Sequence, residues 1–352
     1  MSFTRPRRLL EKEKDEPGRD LFIRRKSKSK ILGHAVADQP MVDERGDCTV
    51  ELSMPAAALR ALLEHAIDYA GLFPPASLAL EPALQNQAVY LRSPDRWMLG
   101  AFVLPVGKFD VATSQLPQFS TEHPLQISAL GPKDLPAAEF DETLKSIAAA
   151  IERFSASQQS VVAITQFEMP LPLELDEESL GGAEDSLGKL GLKIFWEAPP
   201  DDAPAIIKTL AGGDAGFKLR TGGVTADAFP SDAQIARALV ASAKHRVAIK
   251  FTAGLHHPVK QFHESVGTKM HGFLNVLGAG VLAAEHDWDE AETAEMLADE
   301  DAKSFGFDVE TFRWREWQIS TQQIVTRRRL VTSLGSCSFE EPREDLRALD
   351  LF

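Results

Sequence analysis

From about residue 56 onward the chain repeats one pattern. A short β-branched or aromatic run is followed by a loop and then by an Ala/Leu-rich or amphipathic stretch. Short apolar runs bounded by turn residues read as buried strands, and apolar positions recurring every three or four residues read as helices. On this basis strands are predicted at residues 67–73, 100–105, 125–130, 160–168, 192–197, 216–220, 246–252 and 273–276. Helical patterns lie between most of them, at 59–65, 141–154, 203–210 and 232–244. Strands alternating with helices of this length form parallel units with right-handed crossovers. Eight such units predict an α/β fold in which a (β/α)8 TIM barrel spans residues 56–285. The competing arrangement, an open doubly wound sheet, normally carries G-x-G-x-x-G after its first strand, and that motif is absent. Residues 286–352 read as a C-terminal helical extension packed on the barrel. It contains a helix near 288–302, an aromatic and basic stretch at 312–329, and a closing segment at 336–352 that docks on the barrel.

The alternation within single strands says where the charges point. In Phe217-Lys218-Leu219-Arg220 the apolar residues share one face and the cations share the other. In 247–252 the face of Val247, Ile249 and Phe251 is apolar, while the opposite face carries Ala248, Lys250 and Thr252. The apolar face belongs against the helices, so Lys218, Arg220, Lys250 and Thr252 are expected inside the barrel near its carboxyl end. Gln166 with Glu168, and Phe195 with Glu197, follow the same count on the fourth and fifth strands. Unpaired charges inside a barrel are costly, but acids facing cations make a polar cluster that can be satisfied, at the end where barrel enzymes react. A buried salt-bridge network without turnover is the plain alternative.

Glycine-bearing loops follow directly: Thr221-Gly222-Gly223 after the sixth strand and Ala253-Gly254 after the seventh. Beside Arg220, their backbone N–H groups predict a phosphate or carboxylate seat. Asn275, on the expected eighth strand, and Asp68 with Tyr69, near the top of the first, complete the set of substrate-binding candidates. Four of the nine histidines fall in one span: His256, His257, His263 and His271. Their spacing fits no standard zinc motif, so no metal is assigned. His256 is read as a proton-transfer group, His257 as a substrate contact and His263 as a surface histidine. No cofactor is called for.

Charge refines the picture at one end. The formal net charge is −14, yet residues 1–30 carry eleven Lys/Arg against five Asp/Glu, a local +6. Residues 1–50 therefore read as a disordered basic tail, with Met41 and Met54 as alternative starts. The acidic remainder argues against nucleic acid as a partner, and no run of about 18 apolar residues suggests a membrane. Cys48 and Cys337 match no redox or metal spacing, and with no signal-peptide pattern the chain reads as cytoplasmic. A homo-oligomer is left open.

Lys218-Leu-Arg-Thr-Gly resembles the Lys-Thr-Ser-Thr-Gly segment of deoxyribose-phosphate aldolase, a class I aldolase barrel. Lys250-Phe-Thr-Ala-Gly is similar to that family's Lys-Pro-Ala-Gly-Gly, one position out of step at Ala-Gly. The likeness covers residues 216–257 only, and Arg220 stands where the family has a small residue. The same stretch also resembles a group of bacterial proteins to which no activity is attached. The aldolase resemblance implies Lys218 as a Schiff-base nucleophile and Lys250 as the cation that lowers its pKa. Independently of family, burial and a neighbouring cation depress a lysine pKa and make the amine nucleophilic. The leading expectation is thus a carbon–carbon lyase acting on a small anionic carbonyl compound through Lys218, with Glu168, Glu197 or His256 moving protons. The alternatives are a barrel enzyme that only holds the anion with its cations, and a binding barrel without turnover.

Overall fold

The computed structural model describes residues 54–352 apart from 159, 173, 175 and 176. The tail expected over 1–50 lies outside the described residues. After helix α1 (Ala57–Leu63) the chain runs through strand β1 (Ile67–Tyr69), α2 (Leu80–Tyr90), β2 (Leu99–Pro105), the one-turn α3 (Phe109–Ala112), β3 (Leu125–Leu130), α4 (Phe140–Gln158), β4 (Val162–Pro170), α5 (Glu177–Gly188), β5 (Lys193–Glu197), α6 (Ala203–Thr209), β6 (Gly216–Arg220), α7 (Asp232–His245) and β7 (Ile249–Thr252). These seven parallel strands lie side by side in chain order. Each is short, apolar on its outer face and separated from the next by a helix, the geometry that βαβ units impose.

The barrel does not close where the sequence pattern placed its eighth strand. Residues 273–276 open helix α8 (Phe273–His286), which is buried along nearly its whole length. In Phe-Leu-Asn-Val-Leu-Gly-Ala-Gly-Val-Leu-Ala-Ala almost every position is apolar, so periodicity cannot separate a buried helix from a buried strand. Between β7 and closure lie a hairpin, β8 (Gln261–His263) and β9 (Thr268–Met270), then α8, α9 (Glu290–Ala298), and an antiparallel sheet of β10 (Phe305–Phe307), β11 (Thr311–Trp314) and β12 (Trp317–Ser320). Helix α10 (Thr321–Arg327) then leads into β13 (Val331–Ser336), which pairs in parallel with β7 on one side and β1 on the other. The closed order is β1-β13-β7-β6-β5-β4-β3-β2. The expected extension at 286–352 therefore contains the last barrel strand. Only α11 (Glu340–Ala348) follows it, docked by Arg343 and Arg347 on the buried Asp95.

Outside the barrel wall, Phe217, Leu219, Ile249 and Phe251 are fully buried in the continuous apolar core shared with the helices. Inside it, the polar partners of those same strands meet. No helix among the described residues is long and apolar enough to cross a membrane.

Candidate functional site

Strands β6 and β7 pair so that Lys218 lies directly beside Lys250 and Arg220 beside Thr252. Neighbouring strands lie about 4.8 Å apart, so the two lysine stems enter the barrel as adjacent posts. Their ammonium groups meet different surroundings. Lys250 Nζ lies 2.9 Å from Asp68 Oδ2 and 3.3 Å from Glu168 Oε1, and it donates to Gln166 Oε1 at 2.9 Å. Three acceptors for three N–H groups leave it saturated, and the Phe195 ring lies 5.4 Å away. Asp68 is fixed in turn by the Ala101 N–H at 2.7 Å and by the Ser333 hydroxyl at 2.8 Å. This inner end of the network joins β4 and β7 to the neighbouring strands β1 and β13, and its Lys250, Asp68 and Glu168 side chains are buried.

Lys218 Nζ sits 2.9 Å from Glu168 Oε2 and 2.8 Å from Glu197 Oε2. Only these two acceptors engage it among the described residues, so one of its three N–H groups has no partner there. Arg220 Nε lies 3.4 Å from Glu197 Oε1, with half of its side chain in solvent. Glu168 links the two ends, with Oε1 toward Lys250 and Oε2 toward Lys218, and Oε1 also accepts from the Ser128 hydroxyl at 2.6 Å. Three cations (Lys218, Lys250, Arg220) face three carboxylates (Asp68, Glu168, Glu197), and the cluster is neutral as a whole.

These partners reverse the expected titration of Lys218. Burial alone would push its pKa down, but the Glu168 and Glu197 carboxylates outweigh burial and hold it above the usual lysine value. Burial would likewise push Glu168 up, yet Lys218, Lys250 and the Ser128 hydroxyl bring it down to about 2. The depressed lysine expected from Arg220 and Lys250 is therefore not found. That expectation counted the neighbouring cations, whereas the carboxylates lie closer. At rest the pair is an ammonium and a carboxylate.

Above Lys218 opens a cavity of about 560 Å³, within the size range of small-molecule sites. Glu168, Glu197, Lys218, Arg220, Gly223, Lys250, Thr252, Gly254 and His256 are among its lining residues. It lies at the carboxyl ends of the strands, where barrel enzymes carry their sites.

Other sequence candidates lie elsewhere. Asn275 is buried in α8 and acts as a staple. Its side-chain oxygen accepts from the Lys260 N–H at 3.0 Å, and its amide donates to the Met296 and Asp299 carbonyls at 2.8 Å each. Tyr69 does end β1, but it faces outward against Tyr90 and Phe102, with its hydroxyl accepting from Asn86. Asp68 belongs to the charged network without reaching the cavity wall. Thr221 is fully buried and donates to the Ala253 carbonyl at 2.6 Å. Gly222 serves loop packing. A Cβ there would lie 2.6 Å from the Phe229 ring and 3.0 Å from the Gly254 Cα, so the two glycine loops press on each other. Gly254 also needs a positive φ, +75°.

His256 and His257 diverge. Nδ1 of His256 is 3.0 Å from Glu341, Nδ1 of His257 is 2.6 Å from Asp345, and both carboxylates belong to α11. The hydrogen bond from His256 holds the Glu341 carboxyl below its usual value. His257 stacks on His263 and does not line the cavity. Among the described residues no group of three His, Cys, Asp or Glu side chains is arranged to hold a metal ion. Sequence reasoning missed Ser128, Ser333 and the wall residues Phe73, Leu130 and Val224. The serines give no signal of their own, because their partners come from distant strands.

No family model and no curated protein matches the chain. Among solved structures, it is similar to a chain of the tryptophan synthase complex of Pyrococcus furiosus, at 11% identity and a TM-score of 0.33, over 70% of this chain and 98% of that one. It is also similar to a probable 2-pyrone-4,6-dicarboxylic acid hydrolase of Acinetobacter baumannii, at 11% identity and a TM-score of 0.25, over 55% of this chain and 71% of that one.

Proposed function

We propose that the chain is a carbon–carbon lyase acting on a small anionic carbonyl compound, and that Lys218 works as a charged hydrogen-bond donor. The observation that carries this reading is the Lys218 ammonium held between Glu168 and Glu197 at the floor of the cavity. A carbonyl oxygen of the substrate takes the unpartnered N–H of Lys218, and Arg220 binds the substrate's carboxylate or phosphate. Glu197 accepts the proton of a hydroxyl on the carbon one bond beyond the α-carbon. The bond between those two carbons breaks, and its electron pair passes to the carbonyl oxygen as an enolate that the ammonium stabilises. The same proton returns from Glu197 to the α-carbon, so the fragments are an aldehyde or ketone and a second carbonyl compound. Lys250, with its three N–H groups engaged, fixes Glu168 and has no donor left for the substrate.

A second reading, imine formation at Lys218, is favoured by its place on β6 and by the Lys-x-x-Thr-Gly resemblance. It requires the ammonium to give up a proton against the pull of two carboxylates. Borohydride reduction separates the two readings. The protein is incubated with a panel of hydroxy keto acids and phosphorylated aldehydes, sampled for cleavage, and then reduced. Cleavage without a mass adduct is expected, and Glu197→Gln and Lys218→Met should each slow it by about a hundredfold or more. An adduct mapped to Lys218 would replace the first reading by the second, and full activity in Lys218→Met would overturn both.

A further inference from the structure

The cavity wall is divided between two chemistries. Around the β5–β7 arc stand Glu197, Lys218, Arg220 and Lys250, with glycine loops between them. The β1–β4 arc is lined by Phe73, Val103, Leu130 and a series of prolines at 74, 75, 105, 132 and 170, and its carboxylate, Glu168, is buried and paired with Lys218 and Lys250. Proline has no N–H to donate. The nearby N–H groups are engaged as well, that of Gly131 by the Glu168 carbonyl at 2.9 Å and that of Leu171 by the Glu197 carbonyl at 2.8 Å. Lys133 also belongs to this arc, but its side chain is 86% exposed and reaches into solvent. Across the mouth, on the loop after β6, Val224 is an apolar side chain left 57% exposed at the rim.

Such a wall is poor in donors for the hydroxyl groups of a sugar. Each hydroxyl oxygen turned toward it would give up its water donors for few on the wall, with only backbone carbonyls to take its proton, whereas a flat apolar body would gain contact at no such cost. We propose that the substrate is amphipathic, with an anionic carbonyl head at Arg220 and Lys218 and an aryl or comparably broad apolar body against the proline arc. This deepens the proposed function and rests on its assignment of Arg220 to the anion. A triose- or pentose-sized phosphate would leave the apolar arc wet.

Calorimetric titration of the full chain with three probes tests it: phenylpyruvate, pyruvate and 2-deoxyribose 5-phosphate. Phenylpyruvate should bind roughly tenfold or more tightly than either of the others. Phe73→Ser and Val224→Ser, which add no charge, should remove most of that advantage and change pyruvate binding far less than phenylpyruvate binding. Equal or tighter binding of 2-deoxyribose 5-phosphate would overturn the inference, as would an advantage for phenylpyruvate that neither variant alters. Arg220→Leu tells this failure from that of the underlying reading. If the preference for phenylpyruvate holds while Arg220→Leu weakens none of the three, the apolar arc stands and the anion seat at Arg220 falls.

Discussion

Lys218 and Lys250 occupy paired positions on adjacent strands, yet the two ends of the charged network they anchor are built for different tasks. The inner end pairs Lys250 with Asp68, Gln166 and Glu168, braces Asp68 with Ser333 and the Ala101 N–H, and keeps both charges of the Lys250–Asp68 pair buried. The outer end pairs Lys218 with two carboxylates, leaves a donor over, and opens through Glu197 and Arg220 to a cavity. Identical side chains in identical register thus differ in what they can do. One has no donor left for a ligand, and the other has one donor and the space for a ligand to reach it. Strand register fixes where a charge enters the barrel, and the number of acceptors around it fixes whether it holds the fold or meets a substrate.

The largest expected effect breaks the inner end. Lys250→Met leaves Asp68 buried without its paired cation and takes one of two cations from Glu168, and breaking a buried pair in this way typically costs about 3–5 kcal/mol. Lys218→Met should cost less, about 1–3 kcal/mol, because Lys250 still serves Glu168 and Glu197 stands at the cavity edge beside Arg220. Urea unfolding of both variants measures the gap. Equal losses would mean that the two ends are not distinct.

Acid gives the next effect. Glu168 titrates at about 2 in the folded chain against an ordinary value of 4.5. Its folded value is the lower one, so the stability it contributes is complete above pH 4.5 and is lost as pH falls toward 2, about 3 kcal/mol in all. Lys218 behaves oppositely. Its raised value means that its contribution is complete below 10.5 and fades only as pH climbs past the folded value. Unfolding followed from pH 6 to 2 should show the acid loss in the native chain, and Glu168→Gln should flatten it.

Seven of the eight barrel strands were legible because each is an apolar run with a turn on either side. The inward aim of Lys218, Arg220, Lys250, Glu168 and Glu197 was legible because side chains alternate with a period of two. The eighth strand was not. Val331-Thr-Ser-Leu-Gly-Ser is weakly apolar, since its inward Ser333 must bond Asp68, and it follows Arg327, Arg328 and Arg329. Phe273–Val276, at the head of a helix buried all round, offered a stronger apolar run and drew the assignment, taking Asn275 with it. The titration of Lys218 was illegible for a related reason. Sequence shows that charges share a compartment but not which oxygen lies 2.8 Å away.

The smallest expected change in stability is at Arg220, and it sharpens the comparison most at the outer end. Arg220 makes one long contact, 3.4 Å to Glu197, with half its side chain in water, so the pair contributes little to folding. Arg220→Leu should alter stability by no more than about 0.5 kcal/mol. Its guanidinium keeps donors free to grip a carboxylate or phosphate in bidentate fashion, a contact of about 1.5–3 kcal/mol. Affinity for phenylpyruvate should therefore fall roughly tenfold to a hundredfold while the melting curve barely moves. The wild-type affinity should weaken with added salt, and the variant's should do so less. A marked loss of stability without a loss of affinity would mean that Arg220 belongs to the structural network, and the division between the two ends would have to be drawn beyond it.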